Sequence, residues 1–463
     1  MVLRLDAKTL LSAMSLKDLF KNLDDVNSVL PELIPADELN LKELDWISWY
    51  LSAPQFSSVR VNTIAFSPDS VVDQLSEQLE KIATLFNKEP PKVFVHHLLP
   101  DCVIISPWKE ANLTRRNKEV IVDKFCGLAV LRGSPVFAPG VKGMQSDVRE
   151  GTEVSVFADA SNRCKRGFLR EFVDNSKTFV GNGVVKMDRY RLFNEKELPY
   201  GIAVEITDTE SKVCGVELPE NLGILQNLPS IVCGHVLGVN AEDNLTVLDM
   251  CAAPGNKATH LATLMKNKGL IIALDKTKKK THKINKLCAQ LGIQNIRTFA
   301  FDSRKSIDRF REGVNLSDGP PYTPECFDRV LLDAPCSGLG QRPVFDFDLT
   351  QKEIESFPLV QKHLFSVAVQ HVRVGGFLVY STCSITHAEN EGLVKWALEK
   401  FPQIRLVPAE PIIGKSRTVE SGLSEEESKM IQKFGPPSDC TPDTDTIGFF
   451  IAKFKKVESV QHP

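Results

Sequence analysis

Apolar and polar positions follow a repeating order in the second half of the chain. From about Asn221 onward, short apolar runs typical of buried strands are separated by segments with helical spacing. This order of strand, loop and helix predicts a parallel sheet built from crossover units, and therefore a Rossmann-like α/β domain. The predicted strands cover residues 246–250, 270–275, 296–302, 329–335, 376–382 and 447–454.

The first half of the chain shows two other patterns. Residues 118–205 contain short β-type runs punctuated by glycine and proline, which predicts a small β-barrel. Residues 1–117 mix helical and extended spacing and predict a small N-terminal α/β segment. We therefore expect three parts, the third being the α/β domain over 206–463. In the first part, the predicted helices cover 37–51 and 70–86, and the predicted strands 59–63 and 104–107.

Composition places the chain among ordinary globular proteins. It has 463 residues, a formal charge of −3, and 42% hydrophobic and 25% charged residues. No apolar run approaches the roughly 20 residues that span a bilayer, and the amino terminus does not resemble a signal peptide. The eleven cysteines include no CxxC pair, which argues against a zinc site and against a disulfide framework. We expect a cytoplasmic protein without a metal or a membrane anchor.

A loop of small residues follows the first strand of the α/β domain. Such a loop lets a ligand approach the backbone, and Asp275 ends the next strand where a carboxylate accepts hydrogen bonds from ribose hydroxyls. Asp302 ends the third strand, where it could meet an adenine amino group. The loop lacks both GxGxxG and the phosphate-cradling GxxxxGK[ST], so S-adenosylmethionine fits better than a dinucleotide, the alternative being a mere tight turn. The candidate cofactor residues are Cys251, Ala252, Ala253, Pro254, Gly255, Asn256, Lys257, Asp275, Asp302 and Asp333.

Two cysteines stand at the carboxyl ends of neighbouring predicted strands. Cys336 follows Asp333 in the sequence DAPCSG, and Cys383 lies in YSTCS. A buried structural cysteine is the usual explanation for one such residue, but two at site-forming strand ends indicate chemistry. A thiolate that adds to C6 of cytosine makes C5 nucleophilic enough to accept a methyl group. Asp333 could hold the N3/N4 edge of the base and assist protonation there.

These motifs resemble the Nop/Sun family of RNA cytosine-C5 methyltransferases. The resemblance covers about residues 219–455 and includes VLDMCAAPGNK, DAPCSG, YSTCS and ENE. It implies that Cys383 is the nucleophile and that Cys336 assists release of the product. It also places Lys257, Asp275, Asp302 and Asp333 on cofactor and catalytic positions, and the candidate catalytic set is Cys383, Cys336, Asp333 and Lys257. The family usually reads APGGK, whereas Asn256 stands here in place of the second glycine.

The barrel segment is similar to a PUA domain, a small RNA-binding fold. The similarity lies in LRGSPVFAPGV and VGNGV. Together the two resemblances imply a PUA-containing tRNA methyltransferase that forms 5-methylcytidine near the 3′ end of the acceptor stem, with the acceptor end gripped by the PUA domain. The alternatives are the same chemistry on ribosomal or messenger RNA, or an idle RNA-binding protein. An N-methyltransferase would carry an Asn-Pro-Pro-Tyr type of loop where this chain has DAPC.

Basic residues flank both predicted RNA-handling parts. We expect Lys165 and Arg166 in the barrel, and Lys279 and Lys280 beside the cofactor loop, to contact RNA phosphates. The alternative for any single cluster is a solvated charged face. The expected partner is tRNA, and no obligate protein partner is evident from the sequence.

Overall fold

Three β-sheets form within the described residues, and the first of them includes a strand from beyond the barrel. A computed structural model describes residues 15–23, 43–174, 177–194, 198–311, 315–415, 422–436 and 439–459. Within these ranges, no helix is both long enough and apolar enough to cross a membrane. Residues 37–42 of the helix predicted over 37–51 lie outside the described residues.

The N-terminal part is a four-stranded antiparallel sheet with a long amphipathic helix. That helix begins after Ser67, whose side chain caps it by accepting from Ser70 N, and its buried stripe faces the sheet. The fourth strand comes from Gly223–Leu225, beyond the barrel, and pairs with the first strand of the sheet. The elements are α1 Leu16–Leu19, α2 Glu43–Leu51, β1 Ser57–Val61, α3 Pro68–Phe86, β2 Val93–Val95 and β3 Cys102–Ile105.

The middle part is a six-stranded sheet whose core consists largely of small branched side chains such as Val120, Val154 and Val180. Its last strand runs past residue 205, the boundary expected from the sequence, and ends at Thr209. The strands are β4 Glu119–Asp123, β5 Val136–Phe137, β6 Val141–Met144, β7 Glu153–Asp159, β8 Lys177–Val185 and β9 Ile202–Thr209, and the helices are α4 Lys124–Leu131 and α5 Arg189–Leu192.

The third part is an eight-stranded sheet. Its strands are β11 Thr246–Asp249, β12 Leu270–Asp275, β13 Ile296–Ala300, β14 Phe327–Asp333, β15 Val372–Thr382, β16 Ile404–Val407, β17 Gln432–Phe434 and β18 Phe449–Lys456. They lie in the order β13-β12-β11-β14-β15-β18-β16, with β17 paired to β18. Neighbours from β13 to β15 pair in parallel, and β18 is antiparallel to β15. The predicted Rossmann-like fold is confirmed. The strand that precedes β11 in the chain, β10 Gly223–Leu225, is the fourth strand of the first sheet.

Six helices of the third part cover the sheet or connect its strands. The helix over Gln351–His371 starts with a capping box between Thr350 and Glu353. The helix over Lys278–Leu291 is followed by Gly292, whose backbone is in the left-handed conformation and caps the helix. The helices are α6 Leu228–Val236, α7 Asn256–Leu264, α8 Lys278–Leu291, α9 Gln351–His371, α10 Glu391–Lys400 and α11 Glu425–Met430.

A buried polar cluster joins the N-terminal sheet to α7, the helix that follows the predicted cofactor loop. Arg60 of β1 is fully buried and donates to Thr259 Oγ1 at 3.0 Å. The carboxylate of Asp101 lies 2.7 Å from Nε2 of His260 and 2.6 Å from Nε2 of His235. Because a buried charge without a partner is costly, these contacts fix α7 against the N-terminal sheet.

Two buried histidines should make stability depend on pH. Burial lowers the pKa of His260 to about 4 and that of His371 to about 3, below the value of about 6.5 in an unfolded chain. Between pH 6.5 and 4 the unfolded chain therefore binds protons that the folded chain does not. As the pH is lowered through this window, each histidine contributes a fall of about 1.4 kcal/mol per pH unit in the free energy of unfolding, and Asp249, whose pKa is raised to about 7, contributes the opposite slope.

Denaturant titrations at several pH values measure this slope. His371 Nε2 lies 2.7 Å from Ser306 Oγ, and His371→Gln keeps a polar group there while removing the titration. The slope should be smaller in the variant by about 1.4 kcal/mol per pH unit, the contribution of this one histidine. Equal slopes in the two proteins would contradict the assignment.

Candidate active site

The predicted site residues converge at one edge of the third sheet. β11 is flanked by β12 and β14, so a crevice opens at its carboxyl end, where open α/β sheets bind ligands. Asp275 is the last residue of β12 and Asp333 the last of β14. Thr382 ends β15, immediately before Cys383. Asp302 follows β13 by two residues.

The cofactor loop is held by backbone contacts. Asp275 accepts from Ala253 N at 3.1 Å and from Lys276 N at 2.7 Å, so its carboxylate fixes the loop as well as facing the crevice. Gly255 has φ 114°, and a Cβ there would come within 3.2 Å of Ile284 Cγ2. The departure from the family pattern needs no special backbone, because Asn256 is the first helical residue of α7. Only Gly255 uses the freedom of glycine.

A buried carboxylate with one unpartnered oxygen lies beside this loop, its other oxygen accepting from Cys251 N at 3.3 Å. Asp249 is 1% exposed, and its Oδ2 has no hydrogen-bond partner among the described residues. Burial, aided by the charge of Asp333, raises the pKa of Asp249 to about 7. An orphaned acceptor at this place suits a ligand that brings ammonium or sulfonium charge, as S-adenosylmethionine does. The residues present therefore fit that cofactor, with Asp275 available for its ribose hydroxyls.

Asp302 stands at the predicted position but already has a partner. Arg304 donates to both of its oxygens, at 3.0 and 2.6 Å, and this hydrogen bonding lowers the pKa of Asp302 to about 2. A carboxylate can accept further bonds. An adenine amino group would therefore share Asp302 with Arg304.

The two candidate catalytic cysteines are in contact. Cys336 Sγ lies 3.1 Å from Cys383 Sγ, and both residues are partly exposed. A hydrogen bond from the Cys336 thiol lowers the pKa of Cys383, against the opposing effect of burial, and the same contact raises the pKa of Cys336. Cys383 is therefore the thiol of this pair that ionises first, as a nucleophile must.

Lys257 and Asp333 form an ion pair next to the cysteines. Lys257 Nζ donates to Asp333 Oδ2 at 2.7 Å, and Ser381 Oγ donates to Asp333 Oδ1 at 2.8 Å. Burial has the largest single effect on the pKa of Lys257 and lowers it, but the charge and hydrogen bond of Asp333, together with Cys233 and Cys383, outweigh burial and the pKa is raised. Lys257 thus stays cationic, and its charge also lowers the pKa of Cys383.

From the sequence, no role was assigned to three further polar residues at this edge. Asp249 was hidden inside a predicted strand, and Gln341, whose side chain hydrogen-bonds Cys383, lies in a loop without a pattern. Glu389 is buried and contacts the residues that follow both cysteines. The signals that could have found two of them were the motifs VLDMCAAPGNK, which contains Asp249, and ENE, which contains Glu389.

The four candidate RNA-binding residues are in unequal situations. Lys165 and Lys279 are exposed. Arg166 donates to the backbone carbonyls of Leu192 at 2.8 Å and Val141 at 3.3 Å, within the middle part. Lys280 Nζ lies 3.1 Å from Asp275 Oδ1, which places it at the cofactor crevice. Arg166 and Lys280 thus each have a partner inside the protein.

The sheet is Rossmann-like, its crevice suits S-adenosylmethionine, and two cysteines are in contact beside that crevice. These features are typical of a methyltransferase of the covalent, cysteine-dependent class. Comparison with known proteins agrees. Residues 236–455 match the family model "16S rRNA methyltransferase RsmB/F", and residues 118–208 match the PUA domain. The chain belongs to the RsmB/F (Sun-domain) family of S-adenosylmethionine-dependent RNA cytosine-C5 methyltransferases, in a form that carries a PUA domain.

Individual relatives resemble the chain over most of its length. It is 41% identical to the mouse tRNA (cytosine(72)-C(5))-methyltransferase NSUN6, covering 88% of both chains. A tRNA (cytosine(72)-C(5))-methyltransferase of Pyrococcus horikoshii is 30% identical over 87% of this chain and 90% of its own. The crystal structure of NSun6 from Pyrococcus horikoshii with SFG superposes with a TM-score of 0.72 at 28% identity, covering 96% of this chain and 100% of that one.

Removing the carboxylate of Asp275 should weaken cofactor binding. Asp275→Ala loses both the expected ribose contact and the anchor of Ala253 N, so we expect the Kd for S-adenosylmethionine to rise about 10- to 100-fold. Isothermal titration calorimetry measures this value. As a control, Lys280→Ala removes only a partly exposed ion pair and should change the Kd less than about threefold. An unchanged Kd in Asp275→Ala would remove this residue from the cofactor site.

Proposed function

We propose that this chain transfers a methyl group from S-adenosylmethionine to C5 of cytosine 72 in tRNA, near the 3′ end of the acceptor stem. The observation that carries the proposal is the pair of cysteine sulfurs 3.1 Å apart at the carboxyl ends of β14 and β15. The two NSUN6-type relatives named above, each bearing cytosine(72) in its name, support the choice of base. Relatives named as rRNA methyltransferases are less similar than the mouse relative: one is 30% identical over 88% of this chain and another 35% identical over 48%, against 41% over 88%.

The chemistry begins at Cys383. Its thiolate adds to C6, an S–C6 bond forms, and electron density moves to C5. Asp333, held by Lys257 and Ser381, binds the N3/N4 edge of the base and assists protonation there. S-adenosylmethionine, when bound, supplies the methyl group that C5 receives. A base or water then takes the C5 proton, the electrons of the C5–H bond re-form the C5=C6 double bond, and the S–C6 bond breaks, which returns the thiolate. Cys336, in contact with Cys383, is assigned to this release.

The tRNA is proposed to be held by its acceptor end against the PUA domain, with the target cytosine extruded toward Cys383. A base near a helix end costs less to extrude than one within a duplex. Lys165 and Lys279, both exposed, are the candidates for phosphate contacts. We place the reaction in the cytoplasm. All eleven cysteines lie in the described part of the chain and are free thiols, as suits a reducing compartment.

The experiment that tests this function offers purified protein methyl-labelled S-adenosylmethionine with total tRNA and, separately, with ribosomal RNA. The RNA is then digested and the labelled nucleoside identified. We expect label in 5-methylcytidine from tRNA, and its loss from a transcript in which cytosine 72 is replaced. Label only in ribosomal RNA would overturn the choice of substrate.

Two variants separate the roles of the cysteines in the same assay. Cys383→Ala should abolish both methylation and adduct formation, since no thiolate can attack C6. Cys336→Ala should accumulate a protein–RNA adduct that survives denaturing electrophoresis, because release is impaired. Interchanged results would mean that the two assignments are reversed.

Salt titrations of tRNA binding test the phosphate contacts. Each lysine that neutralises a phosphate contributes about 0.9 to the slope of log K against log salt. Lys165→Ala and Lys279→Ala should therefore each reduce the slope by about 1. Lys81→Ala is the matched control, because this exposed lysine of α3 is paired with Glu77 at 2.7 Å, and its slope should stay unchanged. Unchanged slopes in all three variants would place both residues outside the RNA contact.

A further inference from the structure

One buried carboxylate gathers hydrogen bonds from both cysteine-bearing loops. Glu389 is 1% exposed. Its Oε1 accepts from Ser337 N and from Gln361 Nε2, each at 2.9 Å. Its Oε2 accepts from Ser337 Oγ at 2.6 Å, from Thr386 Oγ1 at 2.9 Å and from Ser384 Oγ. All of these groups donate to Glu389, which is the arrangement that suits an acceptor-only, ionised carboxylate.

The position of these donors connects Glu389 to the cysteines. Ser337 directly follows Cys336 and Ser384 directly follows Cys383, and the two serine hydroxyls are 3.0 Å apart. A single carboxylate therefore ties together the loops that bring the two sulfurs to 3.1 Å. Because five hydrogen bonds fix Glu389, its charge has a fixed position relative to the pair.

The charges around the pair are arranged unequally. Lys257, Asp333 and the amide of Gln341 act on Cys383, and of these Lys257 and Gln341 favour its thiolate while Asp333 opposes it. Glu389 acts on Cys336 and disfavours a thiolate there. The hydroxyl of Tyr380 donates to the backbone carbonyl of Glu389 and brings no charge. At Cys383 the charges of Asp333 and Lys257 oppose each other and the Gln341 hydrogen bond favours the thiolate, whereas at Cys336 the charge of Glu389 opposes ionisation.

We propose that Glu389 is a positioning residue whose fixed charge keeps the shared proton on Cys336 and so leaves Cys383 as the nucleophile. The inference rests on the proposed function for the roles of the two sulfurs. It explains how two adjacent thiols can perform different tasks: attack needs a thiolate, and a protonated neighbour stabilises that thiolate by a hydrogen bond. Without the charge of Glu389 the proton would be shared more evenly.

Partial alkylation of the full chain by iodoacetamide, without RNA or cofactor, tests the proposal. Peptide mass spectrometry gives the ratio of label on Cys383 to label on Cys336 at less than one label per molecule. Wild-type protein should be labelled mainly on Cys383. Glu389→Gln keeps the size of the side chain, and the hydroxyl donors can turn to meet its amide. The ratio should fall about tenfold, the effect of one pKa unit between the two thiols.

Two controls separate charge from structure. Glu391→Gln neutralises another buried carboxylate of the same segment, one paired with Lys433 at 3.0 Å, and should leave the ratio unchanged. Ser384→Ala removes a hydrogen bond to Glu389 but keeps its charge, and should also keep the ratio. Thermal unfolding of each variant reports any structural damage separately.

The proposal is overturned if Glu389→Gln keeps the wild-type ratio, or if Ser384→Ala lowers the ratio as much as Glu389→Gln does. Should Glu389→Gln fail to fold, preferential labelling of Cys336 in wild-type protein would equally overturn it. The readout needs no methyl transfer. A failure of the chain to methylate tRNA would therefore refute the proposed function while leaving the labelling ratio as measured.

Discussion

The parallel pairing of β14 with β15 is the constraint on which the active centre depends. Asp333 is opposite Ser381 in this pair, so the two strands end side by side and their loops leave the sheet together. Cys336 and Cys383 follow within three residues of those ends, which brings sulfurs 47 positions apart in the chain into contact. A slip of one residue in this register would turn each side chain at the strand ends to the other face of the sheet.

The N-terminal sheet supports the other half of the crevice. Its residues Arg60 and Asp101 meet Thr259 and His260 on α7, the helix that begins where the cofactor loop ends. The loop is thus held from two sides, by this polar cluster behind α7 and by Asp275 at the end of β12. Pre-organisation of this kind reduces the ordering cost that a ligand would otherwise meet on binding.

Much of the fold was visible in the sequence, because long apolar runs with a clear period record which side of an element is buried. The strands ending at Asp275 and Asp333 were found for this reason. β10 was not found, since three residues carry no period and its partner is β1, far away in the chain. Glu389 and Asp249 lie in recognised motifs, but their roles could not be assigned from the sequence, because a buried polar residue takes its role from partners that only the folded structure brings near. Arg166 shows the converse: it lies in a basic cluster that predicted RNA contact, but its side chain donates to the backbone carbonyl of Leu192 in the same part of the protein.

The contribution of β10 to the first sheet has a mechanical consequence. The PUA domain is an insertion whose entering and leaving segments are both anchored, since β3 precedes it, β10 follows it, and both flank β1. Trp108 N donates to Lys212 O at 3.0 Å across these two segments. A module joined by one flexible tether can swing, whereas one joined at both ends to the same sheet is restrained to small excursions. The PUA domain is therefore restrained relative to the N-terminal sheet. Cutting the chain at residue 206 would separate β10 from β1 and leave β1 with β3 as its remaining partner in this sheet.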